Sequence, residues 1–94
     1  MAEIQVTKIN ENTFQVTVIA SSTTTHAVSV RAEFAKKLTA GKLSTAELVK
    51  KSFGFLLARE SNNSILRSFD LSVIGHYFPE YEKTIIALIN QTNR

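Results

Sequence analysis

The chain contains no cysteine, one proline and three glycines among its 94 residues. Without cysteine it can form neither a disulfide framework nor a thiolate metal site, which favours a reducing cytoplasm. The low glycine and proline content is typical of a folded domain and not of a linker or disordered segment. No run approaches the ~20 apolar residues that span a bilayer, and the N-terminus lacks the basic start and apolar run of a secretion signal. We expect one cytoplasmic domain, residues 1–94, without membrane association.

Catalytic signatures are also missing from the sequence. There is no glycine-rich phosphate loop, no Gly-x-Ser-x-Gly elbow and no zinc-protease motif. His76 and Glu80 have a metal-ligand spacing, but Pro79 interrupts the helix that this spacing needs. His26 shares the parity of the apolar residues that follow it, which favours a structural histidine in the core. The sequence therefore predicts no catalytic residue, no cofactor and no metal site, and we expect that the protein is not an enzyme.

The first thirty residues alternate between apolar and polar side chains, the pattern of half-buried strands. Ile4 and Val6 begin the pattern, residues 14–20 continue it, and His26 opens a third run. The segment 10–12, Asn-Glu-Asn, suits a short hairpin because asparagine tolerates the left-handed conformation. Residues 1–30 are thus predicted to form a three-stranded antiparallel β-meander.

The remaining residues, 31–94, carry helix-start signals. Ser44 with Glu47 fits a capping box, Asp70 can cap a second helix, and Pro79 suits a first helical turn. We predict helices at 31–39, ending at Ala40 and Gly41, and at 44–60, 71–78 and 79–92, with a turn or short helix at residues 65–66. The fold class is α+β, with three to four helices packed on one face of the meander.

The segment from Ser52 to Glu82 is densely apolar, yet Arg59 and Glu60 fall within the apolar arc of the 44–60 helix. They form a candidate buried charge pair. One interpretation is structural, with both side chains anchoring the next segment through backbone groups, Asp70 or Arg67. In the other, Arg59 binds an anion and Glu60 acts as an acid or base.

The net charge of +3 arises from the segment between Arg31 and Lys51. Its candidate anion or nucleic-acid contacts are Lys36, Lys37, Lys42, Lys50 and Lys51. The alternative is a solvated helical face. A recognition helix is disfavoured because the 44–60 helix uses more than half of its circumference for apolar residues.

Aromatic residues near the C-terminus form a candidate partner contact, namely Tyr77, Phe78 and Tyr81. Aromatic side chains dominate the energetics of many interfaces. The alternative is that Phe78 and Tyr81 belong to the core.

Several short motifs occur together in the chain: FLLARE at 55–60, SIL at 64–66, FDL at 69–71 and YFPEYE at 77–82. In this pattern the chain resembles a group of short bacterial proteins that are uncharacterised. The resemblance implies a bacterial, cytoplasmic origin and carries no activity. We therefore expect a non-catalytic protein-binding or regulatory module that recognises a partner protein or self-associates, with nucleic-acid binding through residues 31–51 as the alternative.

Overall fold

The computed structural model describes residues 2–92, which form four strands and four helices. Their bounds, in chain order, are β1 Glu3–Lys8, β2 Thr13–Ile19, β3 Thr23–Ser29, α1 Ala32–Thr39, α2 Thr45–Leu57, β4 Ser68–Asp70, α3 Ile74–Tyr77 and α4 Tyr81–Thr92. Two 3₁₀ turns, Asn62–Ser64 and Leu71–Val73, flank β4. The α+β class is confirmed.

The sheet has the order β1-β2-β3-β4. β1, β2 and β3 form the predicted antiparallel meander. The prediction of three strands was wrong by one, because β4 adds to β3 in parallel, with Phe69 beside Val28. β4 consists of Ser-Phe-Asp, which is too short to show an alternation of apolar and polar residues. The strand therefore forms only because it pairs with β3, which is distant in the sequence. The N–H of Ala27 begins this pairing by donating to the carbonyl of Arg67 (2.8 Å).

The sheet buries one face and exposes the other. Even-numbered side chains of β2 and β3, such as Phe14, Val16 and Val28, are at most 4% exposed. Odd-numbered positions, such as Gln15 and Thr25, lie on the open face. Strand geometry produces this division, since successive side chains point to opposite faces. The buried face packs in one core with apolar residues of all four helices.

The first two helices begin and end close to the prediction. α1 stops where Ala40 (φ 52°) and Gly41 (φ 76°) adopt the left-handed conformation that ends helices. At the start of α2 the Ser44 hydroxyl accepts a hydrogen bond from the N–H of Glu47 (3.1 Å). α2 ends at Leu57 and not at residue 60. Beyond it the chain tightens, since the N–H of Arg59 donates to the carbonyl of Leu56, only three residues earlier (2.9 Å).

The C-terminal helices are shorter than predicted. The Asp70 carboxylate caps residues 71–73, accepting from the N–H of Ser72 (3.1 Å), but this segment is a 3₁₀ turn that leads into the single turn of α3. The N–H of Tyr81 donates to the Phe78 carbonyl (2.9 Å), which places Pro79 in the first turn before α4. The turn or helix predicted for residues 65–66 was wrong. The 3₁₀ turn at Asn62–Ser64 ends before residues 65–66, and the backbone of Ile65 is extended.

A buried polar network joins β3 to the segment before β4. Nδ1 of His26, which is 1% exposed, lies 2.8 Å from the Leu66 carbonyl, and its Nε2 lies 2.8 Å from the Thr24 hydroxyl. The amide of Asn62 donates to the same hydroxyl (3.0 Å). Because a carbonyl only accepts, Nδ1 donates to the Leu66 carbonyl, and in the neutral imidazole Nε2 then accepts from Thr24. His26 is therefore a structural residue that fixes the backbone at Leu66.

Among residues 2–92, no helix has the length and apolar character needed to cross a membrane.

Candidate functional site

A pocket of about 190 Å³ opens beside the C-terminal end of α2. Its floor and walls are mainly apolar, with contributions from α2, the 64–66 segment, β4 and α3. Its lining includes Leu56, Glu60, Leu66, Tyr77 and Phe78. The volume suits one amino-acid side chain, since drug-sized ligands occupy pockets of ~300–1,000 Å³.

Two large apolar side chains at this pocket are unusually exposed. Tyr77 is 67% exposed and Leu66 is 47% exposed. Phe78 is partly buried, and its ring meets Phe55 edge to face with a centroid distance of 5.8 Å. The pocket thus has a fixed aromatic wall in Phe78 beside accessible apolar surface in Tyr77 and Leu66.

The local sequence explains why Tyr77 faces solvent. α3 is only one turn long, and Phe78 is extended (φ −130°, ψ 90°), as the residue before a proline prefers to be. The chain therefore leaves the helix immediately after Tyr77. Leu66 is held at the other side, because its carbonyl is bound by His26.

Glu60 contributes the charge at this site. Among the described residues that line the pocket it is the one with an ionisable carboxylate. Its side chain is partly buried and forms no hydrogen bond or ion pair within residues 2–92. A carboxylate in this position is available to a cation that approaches from outside.

Arg59 and Glu60 do not form the expected buried pair. The Arg59 Nε lies 3.2 Å from a carboxylate oxygen of Glu80, its guanidinium donates to the Phe55 carbonyl (3.0 Å), and its Cζ lies 3.6 Å from the centroid of the Phe55 ring. The Arg59 side chain retains 31% exposure. Consecutive residues in a turn point in different directions, so Arg59 fastens α2 to the start of α4 while Glu60 faces the pocket.

Tyr81 is not available as a partner contact. Its exposure is 0%, and its hydroxyl lies 2.6 Å from the Ser52 hydroxyl inside the core. Burial raises the pKa of the phenol well above its ordinary value, although the hydrogen bond with Ser52 acts in the opposite direction. The candidate contact of Tyr77, Phe78 and Tyr81 is thereby reduced to Tyr77 and Phe78.

The five candidate lysines differ in their surroundings. Lys37 pairs with Glu82 (3.2 Å), and the amine of Lys42 donates to the Asn90 side chain (3.1 Å). Lys36 and Lys50 are exposed, and Lys51 is partly buried. One of the five charges is therefore offset by an acidic neighbour, whereas Lys42, whose partner Asn90 is neutral, keeps its charge.

Sequence reasoning missed Leu66 and the pocket itself. Leu66 follows a polar stretch and looks like an ordinary core residue, and only its position between the 3₁₀ turn and β4 exposes it. The sequence held one signal for the pocket. Glu60 is an acidic residue among aromatic residues, in a segment that is too apolar to form a single face of a helix.

No family description matches this chain, and neither the curated proteins nor the solved structures include a similar one.

Proposed function

We propose that the protein is a non-catalytic protein-binding module whose pocket accepts one apolar side chain of a partner segment that also carries a neighbouring lysine or arginine. The observation that carries this proposal is the exposure of Tyr77 and Leu66 at the mouth of an apolar pocket. Large exposed apolar surface next to a formed cavity is typical of interaction sites.

The negative charge of Glu60 favours a partner segment that carries a positive charge next to its apolar side chain. The Glu60 carboxylate has no ion-pair partner among residues 2–92 and lines the same pocket as Tyr77. A partner cation would therefore gain a charge-assisted hydrogen bond without displacing an internal one. An acidic partner segment would meet repulsion at the same point, so the sign of the charge supplies specificity.

Nucleic-acid binding through residues 31–51 has less support. Lys37 and Lys42 already have partners on α4, and the exposed aromatic residue, Tyr77, is not part of that segment. Base stacking and phosphate contacts would then lie on different parts of the surface.

A selection from a displayed library of random heptapeptides tests the proposal. We expect the full chain to enrich peptides with a large apolar residue next to lysine or arginine. Tyr77→Ala should weaken binding of a selected synthetic peptide by about tenfold or more, as loss of an aromatic anchor does. Glu60→Gln should weaken it by about two- to fivefold and remove the preference for a basic residue, since an exposed ion pair contributes up to ~1 kcal/mol.

Matched substitutions elsewhere control for general surface effects. Ile9→Ala removes an apolar side chain that is 55% exposed at the β1–β2 turn, and Glu11→Gln removes an exposed carboxylate there. Both should leave peptide binding within twofold, and all four variants should keep the melting temperature of the parent chain. Equal enrichment by the parent and Tyr77→Ala, or selection of acidic peptides, would contradict the proposal. Binding of mixed RNA or DNA at low salt by the parent chain, lost on substitution of Lys36 and Lys50, would favour the nucleic-acid alternative.

A further inference from the structure

Glu60 gives the pocket beside α2 a charge of one sign. It lines the pocket, and its carboxylate has no ion-pair partner among residues 2–92. The described residues of the lining include no lysine, arginine or histidine. Arg59, which precedes Glu60, is engaged by Glu80 and by the Phe55 carbonyl. The pocket therefore attracts a cationic group and repels a carboxylate, which disfavours the free C-terminus of a partner chain as its occupant.

Two hydroxyl groups accompany this carboxylate. Ser64 and Tyr77 also line the pocket, both are exposed, and a hydroxyl oxygen can accept a hydrogen bond. The Ser64 hydroxyl has only a long contact with the hydroxyl of Ser61 (3.5 Å). An ammonium group has three N–H donors and no acceptor. The polar side chains of the lining are thus of the kind that an ammonium group needs.

The size of the pocket restricts where that cation can be attached. A volume of about 190 Å³ holds one side chain, so the backbone of the occupant stays at the opening. In an extended segment successive side chains point to opposite sides, so a lysine next to the apolar residue points away from the pocket. Its side chain has to fold back and loses rotamer freedom in doing so. An α-ammonium group is bonded directly to the Cα of the residue that fills the pocket and needs no such rearrangement.

We infer that the preferred occupant of the pocket is the first residue of a partner chain, with a large apolar side chain in the cavity and a free α-ammonium group on the Glu60 carboxylate. This inference rests on the proposed function and narrows its class of partner to chains with an unblocked, apolar N-terminal residue. Capture of a terminal amine is one of the recurring modes of peptide recognition. The exposed side chains of Tyr77 and Leu66 are then left to contact the residues that follow.

Fluorescence anisotropy with labelled pentapeptides tests this inference on the full chain. The peptide Leu-Ser-Gly-Ser-Gly carries the fluorophore at its C-terminal end, and its desamino analogue has a hydrogen atom in place of the α-ammonium group. We expect the free-amine peptide to bind about tenfold more tightly than the analogue, because the analogue loses a charge-assisted hydrogen bond. A pair of peptides that begin with phenylalanine should show a similar ratio.

Substitution of Glu60 shows whether its carboxylate is the group that binds the amine. Glu60→Gln should bring the two peptides of each pair to within about twofold of each other, as in a double-mutant cycle. Glu11→Gln removes an exposed carboxylate at the β1–β2 turn and should keep the tenfold ratio. Equal melting temperatures of the parent and both variants show that the fold is unchanged.

The pH dependence of binding identifies the amine itself. An α-amino group has an ordinary pKa of about 7.7–8.0, whereas a lysine side chain has one of about 10.4. A rise from pH 7 to pH 9 should therefore remove most of the advantage of the free-amine peptide. The desamino analogue and acetyl-Gly-Leu-Lys-Ser-Gly should keep their affinities, and they control for any titration of the protein in this range.

Equal affinity of the free-amine and desamino peptides for the parent chain would overturn the inference, as would an advantage that survives Glu60→Gln. If the acetylated lysine peptide then binds in a manner that depends on Glu60, the proposed function stands without this narrower class of partner. If none of the peptides binds, including those selected from the library, the pocket function itself fails and the inference fails with it.

Discussion

The hydroxyl of Tyr81 lies 2.6 Å from the hydroxyl of Ser52, and both side chains are fully buried between α4 and α2. The Ser52 hydroxyl itself donates to the Leu48 carbonyl (2.8 Å). Since that proton is already engaged, Tyr81 is the donor to Ser52. This chain of two hydrogen bonds satisfies the phenol that Tyr81 brings into the core.

Removal of either partner should have unequal effects on stability. Tyr81→Phe loses one hydrogen bond and should lower the free energy of unfolding by about 1 kcal/mol. Ser52→Ala leaves the buried phenol without an acceptor and should cost about 2 kcal/mol. The double variant should cost less than the sum of the two, because the phenol is then absent. Urea denaturation of the four chains provides this cycle, and strict additivity would show that the two hydroxyls do not interact.

Tyr81 should also make the fold sensitive to alkali. Burial raises the pKa of its phenol in the folded chain, whereas the unfolded chain has the ordinary value of 10.0. The folded state thus holds the proton more tightly, so stability is unaffected below about pH 9 and falls as the pH rises above about 10. Unfolding free energies at pH 8 and 11 should differ more for the parent than for Tyr81→Phe. Tyr77→Phe, which alters an exposed phenol, should behave like the parent.

Asp70 should produce the opposite dependence, in acid. Burial raises the pKa of its carboxyl, but hydrogen bonds from Ser72 and Ser29 outweigh it and hold the pKa below 3.8. The carboxylate therefore stabilises the fold above about pH 4 and loses this effect as the pH falls. Asp70→Ala should cost about 1 kcal/mol at pH 7 through loss of the cap.

Asp70→Asn separates the cap from the charge. Asparagine retains a capping oxygen, so its cost at pH 7 should be below about 0.5 kcal/mol, as expected for a partly solvated group. That difference should shrink as the pH falls below about 4, because protonation of the parent carboxyl removes its charge. A difference that persists unchanged at pH 2, measured by urea denaturation, would assign the effect to packing.

The parts of the fold that were predictable are those with local causes. The cap at Ser44 and the alternation in β2 depend on residues within a few positions of one another, and the structure retains both. β4 was not predictable, since its pairing of Phe69 with Val28 joins residues far apart in the sequence and three residues carry no periodic signal. β4 can form only after α1 and α2 have packed and brought residues 68–70 next to β3.

The candidate site was predictable only in part, for a similar reason. Tyr77 and Tyr81 are four residues apart, a spacing that places two residues on the same face of one helix. Pro79 separates them into α3 and α4, so one is exposed and the other is buried. The sequence showed the break at Pro79 but not the direction that the chain takes after it.

Arg59 and Glu60 show how adjacent charges acquire different roles, and their substitution gives a final prediction. Arg59→Ala removes the contacts with Glu80, the Phe55 carbonyl and the Phe55 ring, and should lower the free energy of unfolding by about 1 kcal/mol. Arg59→Lys should recover less than half of this loss, because an ammonium group cannot make all three contacts at once. Glu60→Gln should change stability by less than about 0.5 kcal/mol, as its side chain has no internal partner among residues 2–92.

Thermal and urea denaturation of these variants at low and high salt resolves the two roles. Salt should reduce the cost of Arg59→Ala slightly, through the partly exposed ion pair with Glu80, and leave the contact with the Phe55 ring in place. If Glu60→Gln instead destabilised the fold as much as Arg59→Ala, the Glu60 carboxylate would be part of the folded framework. Its availability to a partner cation, on which the proposed specificity of the pocket depends, would then be lost.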